Sequence, residues 1–235
     1  MAVRRNKRRP QRPRQIALIR KGRARMNSIV EPVRIIPVGM LETNCVLVRV
    51  PGSDILYIFD PGAEADRILR AAQTYQDVRQ YKVLLTHAHF DHIGGAGEVC
   101  RKLNVPCVYL APQDHPIYLS PDNCMLPYIP ASDDLPDVKP FPASDELPGM
   151  KILPCPGHSP GGSAFYFPEL QTVISGDSLF YQSIGRTDFP GGDGETLLRS
   201  VREQLFTLPA DTRVIPGHGC ETTIGFEKLH NPYFS

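Results

Sequence analysis

No apolar stretch of this 235-residue chain reaches the roughly 18 to 20 residues that a membrane-spanning helix needs. The longest candidates, around Val46 to Phe59 and Val83 to Leu85, are interrupted by Arg49, Pro51, Gly52 and Asp54 or are simply short, so the sequence reads as a water-soluble chain. The six cysteines, Cys45, Cys100, Cys107, Cys124, Cys155 and Cys220, form no CxxC pair and are too sparse for a disulfide scaffold, which makes reduced thiols the expectation. No internal repeat is evident. Acids are missing from residues 1 to 25, which hold eleven of the 26 Lys and Arg. The same stretch lacks the apolar core of a secretory signal, and it lacks the serines of a mitochondrial transit peptide, while Pro10 and Pro13 would break an amphipathic helix there. The expectation is a basic, disordered arm over 1–28, or an upstream-extended start with Met26 as a second initiator, in a cytoplasmic protein. Mitochondrial targeting by residues 1–25 is the weaker alternative.

What is present is an ordinary globular composition, 41% hydrophobic and 22% charged, long enough to bury a sizeable core without disulfides. Setting the arm aside leaves 15 basic against 25 acidic residues, so the body is near −10. Phosphate neutralisation supplies most of the affinity of nucleic-acid binders, so an acidic body is a poor candidate for one and only the arm could serve.

Short β-rich runs open the body at Val33 to Val38, Cys45 to Val50 and Ile55 to Phe59, read as three antiparallel strands. A helix follows over Ala63 to Tyr75, then a buried strand over Tyr81 to Leu85, a helix over Gly94 to Leu103 and a strand over Pro106 to Leu110. Fourteen of the 24 prolines fall between Pro106 and Pro168, which makes Pro112 to Pro148 an extended loop excursion. Strands return at Met150 to Leu153, Ser163 to Phe167 and Thr172 to Ser175. An amphipathic helix near Glu195 to Phe206 and a strand at Thr212 to Ile215 complete the pattern. Such an order fits two packed sheets covered by helices.

The chemistry concentrates at Thr86-His87-Ala88-His89-Phe90-Asp91-His92, four metal-competent side chains within six positions at the end of a strand. With seven His and fifteen Asp in the chain, random placement yields an HxHxDH run on the order of 4 times in 10,000. If the segment stays extended, His87, His89 and Asp91 share a face while His92 reaches a neighbouring position, so one segment can serve two metals. Imidazole and carboxylate donors suit zinc, iron or manganese, and no thiolates are placed for a closed structural site, so an open catalytic site is expected. His158, Asp177 and His218 each follow a predicted strand in a Gly- or Pro-rich turn. Each alone could be an ordinary turn residue; with the first cluster they make seven ligands, enough for two cations sharing a carboxylate. His115 and His230 read as surface or capping residues, and Cys155 and Cys220 as packing residues beside ligands.

These motifs, together with Thr43-Asn44-Cys45, Phe59-Asp60-Pro61-Gly62, Ser175 to Phe180, Ser183 to Asp193 and Leu229-His230-Asn231-Pro232, resemble the metallo-β-lactamase-fold hydrolases over Ile29 to Phe234. Within that family the sequence is most similar to single-domain bacterial glyoxalase II-like enzymes (hydroxyacylglutathione hydrolase-like). The resemblance implies an α/β (α+β) fold, the αββα four-layer sandwich, as a single domain over 29–235. It implies that His87, His89 and His158 hold one metal, that Asp91, His92 and His218 hold a second, and that Asp177 bridges them. Asp91 is taken as the catalytic carboxylate as well as a ligand, and Asp60 as an anchor behind the ligands or at the strand end. Two divalent ions, zinc first and iron or manganese as alternatives, would then activate a water for thioester hydrolysis, with a small-molecule thioester or ester as the only implied partner. Two-domain glyoxalase II enzymes bind glutathione partly through a helical C-terminal domain, whereas only 17 residues follow His218 here. Where those enzymes use a Lys on the glutathione, this chain offers Arg186, a candidate clamp for a substrate carboxylate unless it pairs with Asp188 or Asp193. Two alternatives remain at this point. One is a mononuclear-iron persulfide dioxygenase, a class sharing HxHxDH and GRTDF; the other is a nuclease or nucleic-acid-binding module using the basic arm. Lactone and β-lactam substrates also remain open.

Overall fold

The computed structural model describes residues 31–234. The expected basic arm, the domain start at 29 and Met26 lie outside the described residues. The chain forms β1 (Val33–Val38), β2 (Thr43–Val48), β3 (Ile55–Phe59), α1 (Ala65–Ala72), β4 (Gln80–Leu84), α2 (Phe90–Ile93), α3 (Ala96–Leu103) and β5 (Cys107–Tyr109). There follow α4 (His115–Tyr118), β6 (Asp137–Lys139), β7 (Lys151–Pro154), β8 (Ser163–Phe167), β9 (Thr172–Gly176), β10 (Leu179–Phe180) and β11 (Ser183–Ile184). The last elements are α5 (Gly194–Ser200), β12 (Arg213–Pro216), β13 (Thr222–Thr223) and α6 (Ile224–His230).

One sheet has the order β1-β2-β3-β4-β5-β6, antiparallel through β3 as expected and parallel from β3 to β6. The second has the order β13-β12-β9-β8-β7, with β12 and β9 parallel. Side chains alternate between faces along each strand, and in β2, β3, β8 and β9 both faces are buried. In β3, Leu56 and Ile58 pack outward against α1 and α3, while Ile55, Tyr57 and Phe59 face the other sheet. In β8, Phe165 and Phe167 meet that inner layer, and Ala164 and Tyr166 pack with Leu197, Val201 and Ile224 on the opposite side. Burial on both faces explains why these strands read as unbroken apolar runs. The result is the expected αββα sandwich, its inner layer centred on Phe59 and Phe165, whose rings lie 4.8 Å apart.

The departures from expectation are local. The helix expected over Glu195 to Phe206 is α5 followed by a π turn over Val201–Leu205. The Pro112 to Pro148 excursion contains α4 and β6, the latter extending the first sheet beside β5 between Pro136 and Pro140. Strands β10, β11 and β13 have two residues each, too short to leave any periodicity in sequence. Helix α6 starts where the Thr223 hydroxyl accepts the Phe226 N–H at 3.2 Å.

Replacing the fully buried Phe165 by Ala should lower unfolding stability by about 3–5 kcal/mol, read from urea denaturation midpoints. Leu229→Ala, at an exposed position, should stay within about 0.5 kcal/mol of the parent.

Candidate metal centre

Ligand-bearing loops follow the carboxyl ends of four strands. His87 and His89 come just after β4, His158 in the turn after β7, Asp177 directly after β9 and His218 directly after β12. The segment does not stay extended to Asp91, contrary to the expectation. Helix α2 begins at Phe90 with His89 as its N-cap, so Asp91 and His92 project from a helical turn. The turn carries them to a second group, and three sets of donors form: His87, His89 and His158; His87, His92 and Asp177; Asp91, His92 and His218. All seven residues singled out from the sequence therefore converge. Gly217 and Gly176 make the approach possible. A Cβ at Gly217 would collide with the Asp177 carboxylate and come within 2.9 Å of the His92 ring, and one at Gly176 would meet the Thr86 side chain.

Hydrogen bonds behind the cluster set which imidazole nitrogen faces inward. His158 Nδ1 lies 2.7 Å from the Arg186 carbonyl oxygen and His218 Nδ1 lies 2.9 Å from the Leu41 carbonyl oxygen, so both must donate there and leave Nε2 with a free lone pair. Asp60 Oδ2 accepts from His92 Nδ1 at 2.9 Å and from the Thr86 hydroxyl at 2.7 Å, and Thr86 Oγ1 is 3.0 Å from His87 Nδ1. One buried carboxylate thus orients two imidazoles. On the inner side His158 Nε2 lies 3.2 Å from His87 Nε2 and 2.9 Å from His89 Nδ1. Donors on one tetrahedral cation at about 2.0–2.1 Å stand about 3.3 Å apart, close to these separations. Asp177 Oδ1 lies 3.5 Å from His92 Nε2, whereas Oδ2 lies 3.5 Å from His158 Nε2 and 3.6 Å from His218 Nε2. Its carboxylate stands between the groups.

Electrostatics divide the cluster in two. Burial, aided by His92, His89 and His158, pushes His87 well below the usual imidazole range, and burial with His158 and His92 brings His89 down to about 3. Both are neutral donors at pH 7. Burial also opposes a charge on His92, but Asp91, Asp177 and Asp60 outweigh it and lift the pKa to about 10. His218 rises as well, its burial penalty outweighed by the hydrogen bond to Asp91 and the charge of Asp177. Burial raises the Asp91 pKa, but the His92 charge and the His218 hydrogen bond hold it well below the carboxylate range. The carboxylates around His92 and His218 call for positive charge, which a divalent cation supplies as it displaces those protons. The fit has a direct sign: His92 Nε2 and Asp177 Oδ1 are buried and have no hydrogen-bond partner. Orphaned polar atoms of this kind are rare in folded proteins, and here two face each other.

The family model described as the metallo-beta-lactamase superfamily matches residues 38–218. The chain belongs to that superfamily. It is 38% identical over 216 residues to a probable metallo-hydrolase, YqgX, of Bacillus subtilis, covering 86% of this chain and 97% of that protein. It is 37% identical over 214 residues to the hydroxyacylglutathione hydrolase GloC of Haemophilus influenzae, covering 86% and 98%. Among solved structures it is similar to TTHA1623 in a di-iron-bound form, with a TM-score of 0.76, 40% identity and coverage of 85% of this chain and 99% of that one. Membership makes this protein a metal-dependent hydrolase of the superfamily. No described helix is long and apolar enough to cross a membrane.

Arg186 lines the cavity in front of the cluster, but its guanidinium forks onto Asp188 at 2.9 and 2.8 Å and covers the Phe189 ring at 4.4 Å. Its backbone carbonyl is what touches the centre. Neither His115, facing the Leu110 carbonyl, nor His230, against Phe226, joins the ligands.

Asp114 escaped the sequence reading. It is fully buried; Oδ2 accepts the Ala88 N–H at 3.1 Å and the Ser159 hydroxyl at 2.8 Å, and Oδ1 accepts the Gly161 N–H at 2.5 Å. Ala88 sits between two ligands and Ser159 follows a third, so this carboxylate clasps two ligand loops. Asp114→Asn would turn an N–H2 toward these donors, lowering stability by about 1–3 kcal/mol. It should also weaken metal binding by roughly 10- to 100-fold in competition with a chromophoric chelator. Asp60→Asn should show the same loss of affinity.

Proposed function

We propose that the centre is binuclear and that the protein is a glyoxalase II-like thioesterase cleaving S-acyl-glutathione-type or related thioesters. The observation that carries this is Asp177, a carboxylate 3.5 Å from His158 of one group and 3.5 and 3.6 Å from His92 and His218 of the other, with one oxygen buried without a hydrogen-bond partner. His87, His89 and His158 would hold one ion, Asp91, His92 and His218 the other, with Asp177 offered to both. Such ions, when bound, would supply Lewis acidity and an activated water for hydrolysis. Zinc is the assignment the nitrogen-rich donor set favours, with iron or manganese as the alternatives.

The chain's own residues do the positioning. The Arg186 and Leu41 carbonyls and Asp60 keep the imidazoles in the tautomers that present a lone pair inward. Asp91, held ionised, stands beside His218 Nε2 as a further donor to the same ion. No described Ser, Cys or Lys in the cluster takes the part of a nucleophile, and a thiolate leaving group departs without a strong general acid. GloC, named a hydroxyacylglutathione hydrolase, supports the thioester class.

The dioxygenase class shares the HxHxDH run, so Asp91 and His92 do not separate the two readings; the relatives named metallo-hydrolase and hydroxyacylglutathione hydrolase support the hydrolase. The nucleic-acid reading rests on the basic arm, and salt-dependent RNA or DNA binding lost on deleting residues 1–25 is its test. A cytoplasmic location belongs to this same proposal. His89→Ala and Asp177→Ala should each drop thioester turnover to assay background with the circular dichroism spectrum preserved. The parent should contain two metal ions per chain, lose activity to a chelator and regain it with zinc. One iron per chain with oxygen uptake on a persulfide would replace this reading by the dioxygenase.

A further inference from the structure

The cavity in front of the cluster holds about 820 Å³. His89, Asp91, His158, Asp177 and His218 contribute to it, so whatever fills it lies against the reacting bond. Elsewhere the walls are largely apolar, with Ser120, Asp122, Asn123, Ser183 and Arg186 as the polar members. Ile117 and Met125 come from the segment around and after α4, Phe180 and Ile184 from the β10–β11 hairpin, Leu41 from the β1–β2 turn and Phe189 from the loop before α5. A concave, mostly apolar wall with a few converging polar groups is the usual form of a small-molecule site.

Charge on these walls points the same way. Apart from the ligands, the charged lining residues among those described are Asp122 and Arg186. Asp188 takes the Nε and Nη2 side of the Arg186 guanidinium. A substrate carboxylate would be left the remaining N–H groups and would stand beside Asp188, in a cavity whose other charged wall residue is acidic. Juxtaposed like charges are a common way of rejecting a ligand. Glutathione brings two carboxylates.

Building on the thioesterase reading, we propose that this cavity receives an apolar acyl chain, and that the substrate is an acyl thioester whose thiol half carries no carboxylate. In the reaction water adds across the acyl–sulfur bond. The C–S bond breaks, a C–O bond forms, the carboxylic acid and the thiol are released, and no oxidant is consumed.

The test uses the full-length, zinc-loaded protein and thioesters with acetyl, butanoyl, hexanoyl and octanoyl groups, each made on N-acetylcysteamine and on glutathione. On N-acetylcysteamine, kcat/KM should rise by about fourfold per added methylene until the cavity is filled. Octanoyl-N-acetylcysteamine should exceed octanoyl-glutathione by about tenfold or more, the scale of a single unfavourable charge contact. Met125→Asp should collapse the octanoyl-to-acetyl ratio toward one while bound zinc per chain stays at the parental value. A flat acyl series, or a preference for the glutathione thioesters, overturns this proposal and leaves the thioesterase reading standing. Failure of the zinc-loaded protein to hydrolyse any member overturns both.

Discussion

Two acidic side chains among imidazoles, Asp60 buried and Asp177 half-buried, govern this structure. Asp60 and Asp177 sit at the ends of neighbouring layers, one behind the cluster and one inside it, and neither could be tolerated there without partners. Asp60 is satisfied by the Thr86 N–H, the Thr86 hydroxyl and His92. It adopts a left-handed backbone, φ 48°, to reach them. Asp177 is only partly satisfied, its Oδ1 having no hydrogen-bond partner. The apolar sandwich supplies the rigidity that holds such an arrangement together, because every ligand loop is rooted in a strand of one of the two packed sheets.

The fold was legible because burial on two faces writes long apolar runs into β2, β3, β8 and β9, and the helices α1 and α3 keep their spacing. The ligands were legible because four of them crowd into one motif and the other three stand in turns rich in Gly and Pro. Sequence reasoning missed the start of α2 at Phe90, since a four-residue helix leaves no period to detect. It missed Asp114 for a different reason. The partners of that carboxylate, Ala88, Ser159 and Gly161, lie 26 to 47 positions away and contribute mainly backbone or a small hydroxyl, so nothing near Asp114 announces it. Arg186 shows the reverse case. Its position was legible as a candidate clamp, but its bond to Asp188 and its stacking on Phe189 are matters of loop conformation.

Function in this superfamily is divided between a centre and a cavity, and the two are built from different parts of the chain. The centre draws on strand ends and admits little variation, as the tight fit at Gly217 shows. The cavity draws on the β1–β2 turn, the segment around α4, the β10–β11 hairpin and the loop before α5, all connections able to change without disturbing the sheets. Kinship with a hydroxyacylglutathione hydrolase therefore speaks to the chemistry more directly than to the compound that undergoes it.

Leu41 belongs to both parts at once. Its side chain forms part of the cavity, and its carbonyl oxygen receives the Nδ1 proton of His218. One residue thus serves as wall and as anchor, and a substitution that moved its backbone would alter the chamber and the seat of the imidazole together.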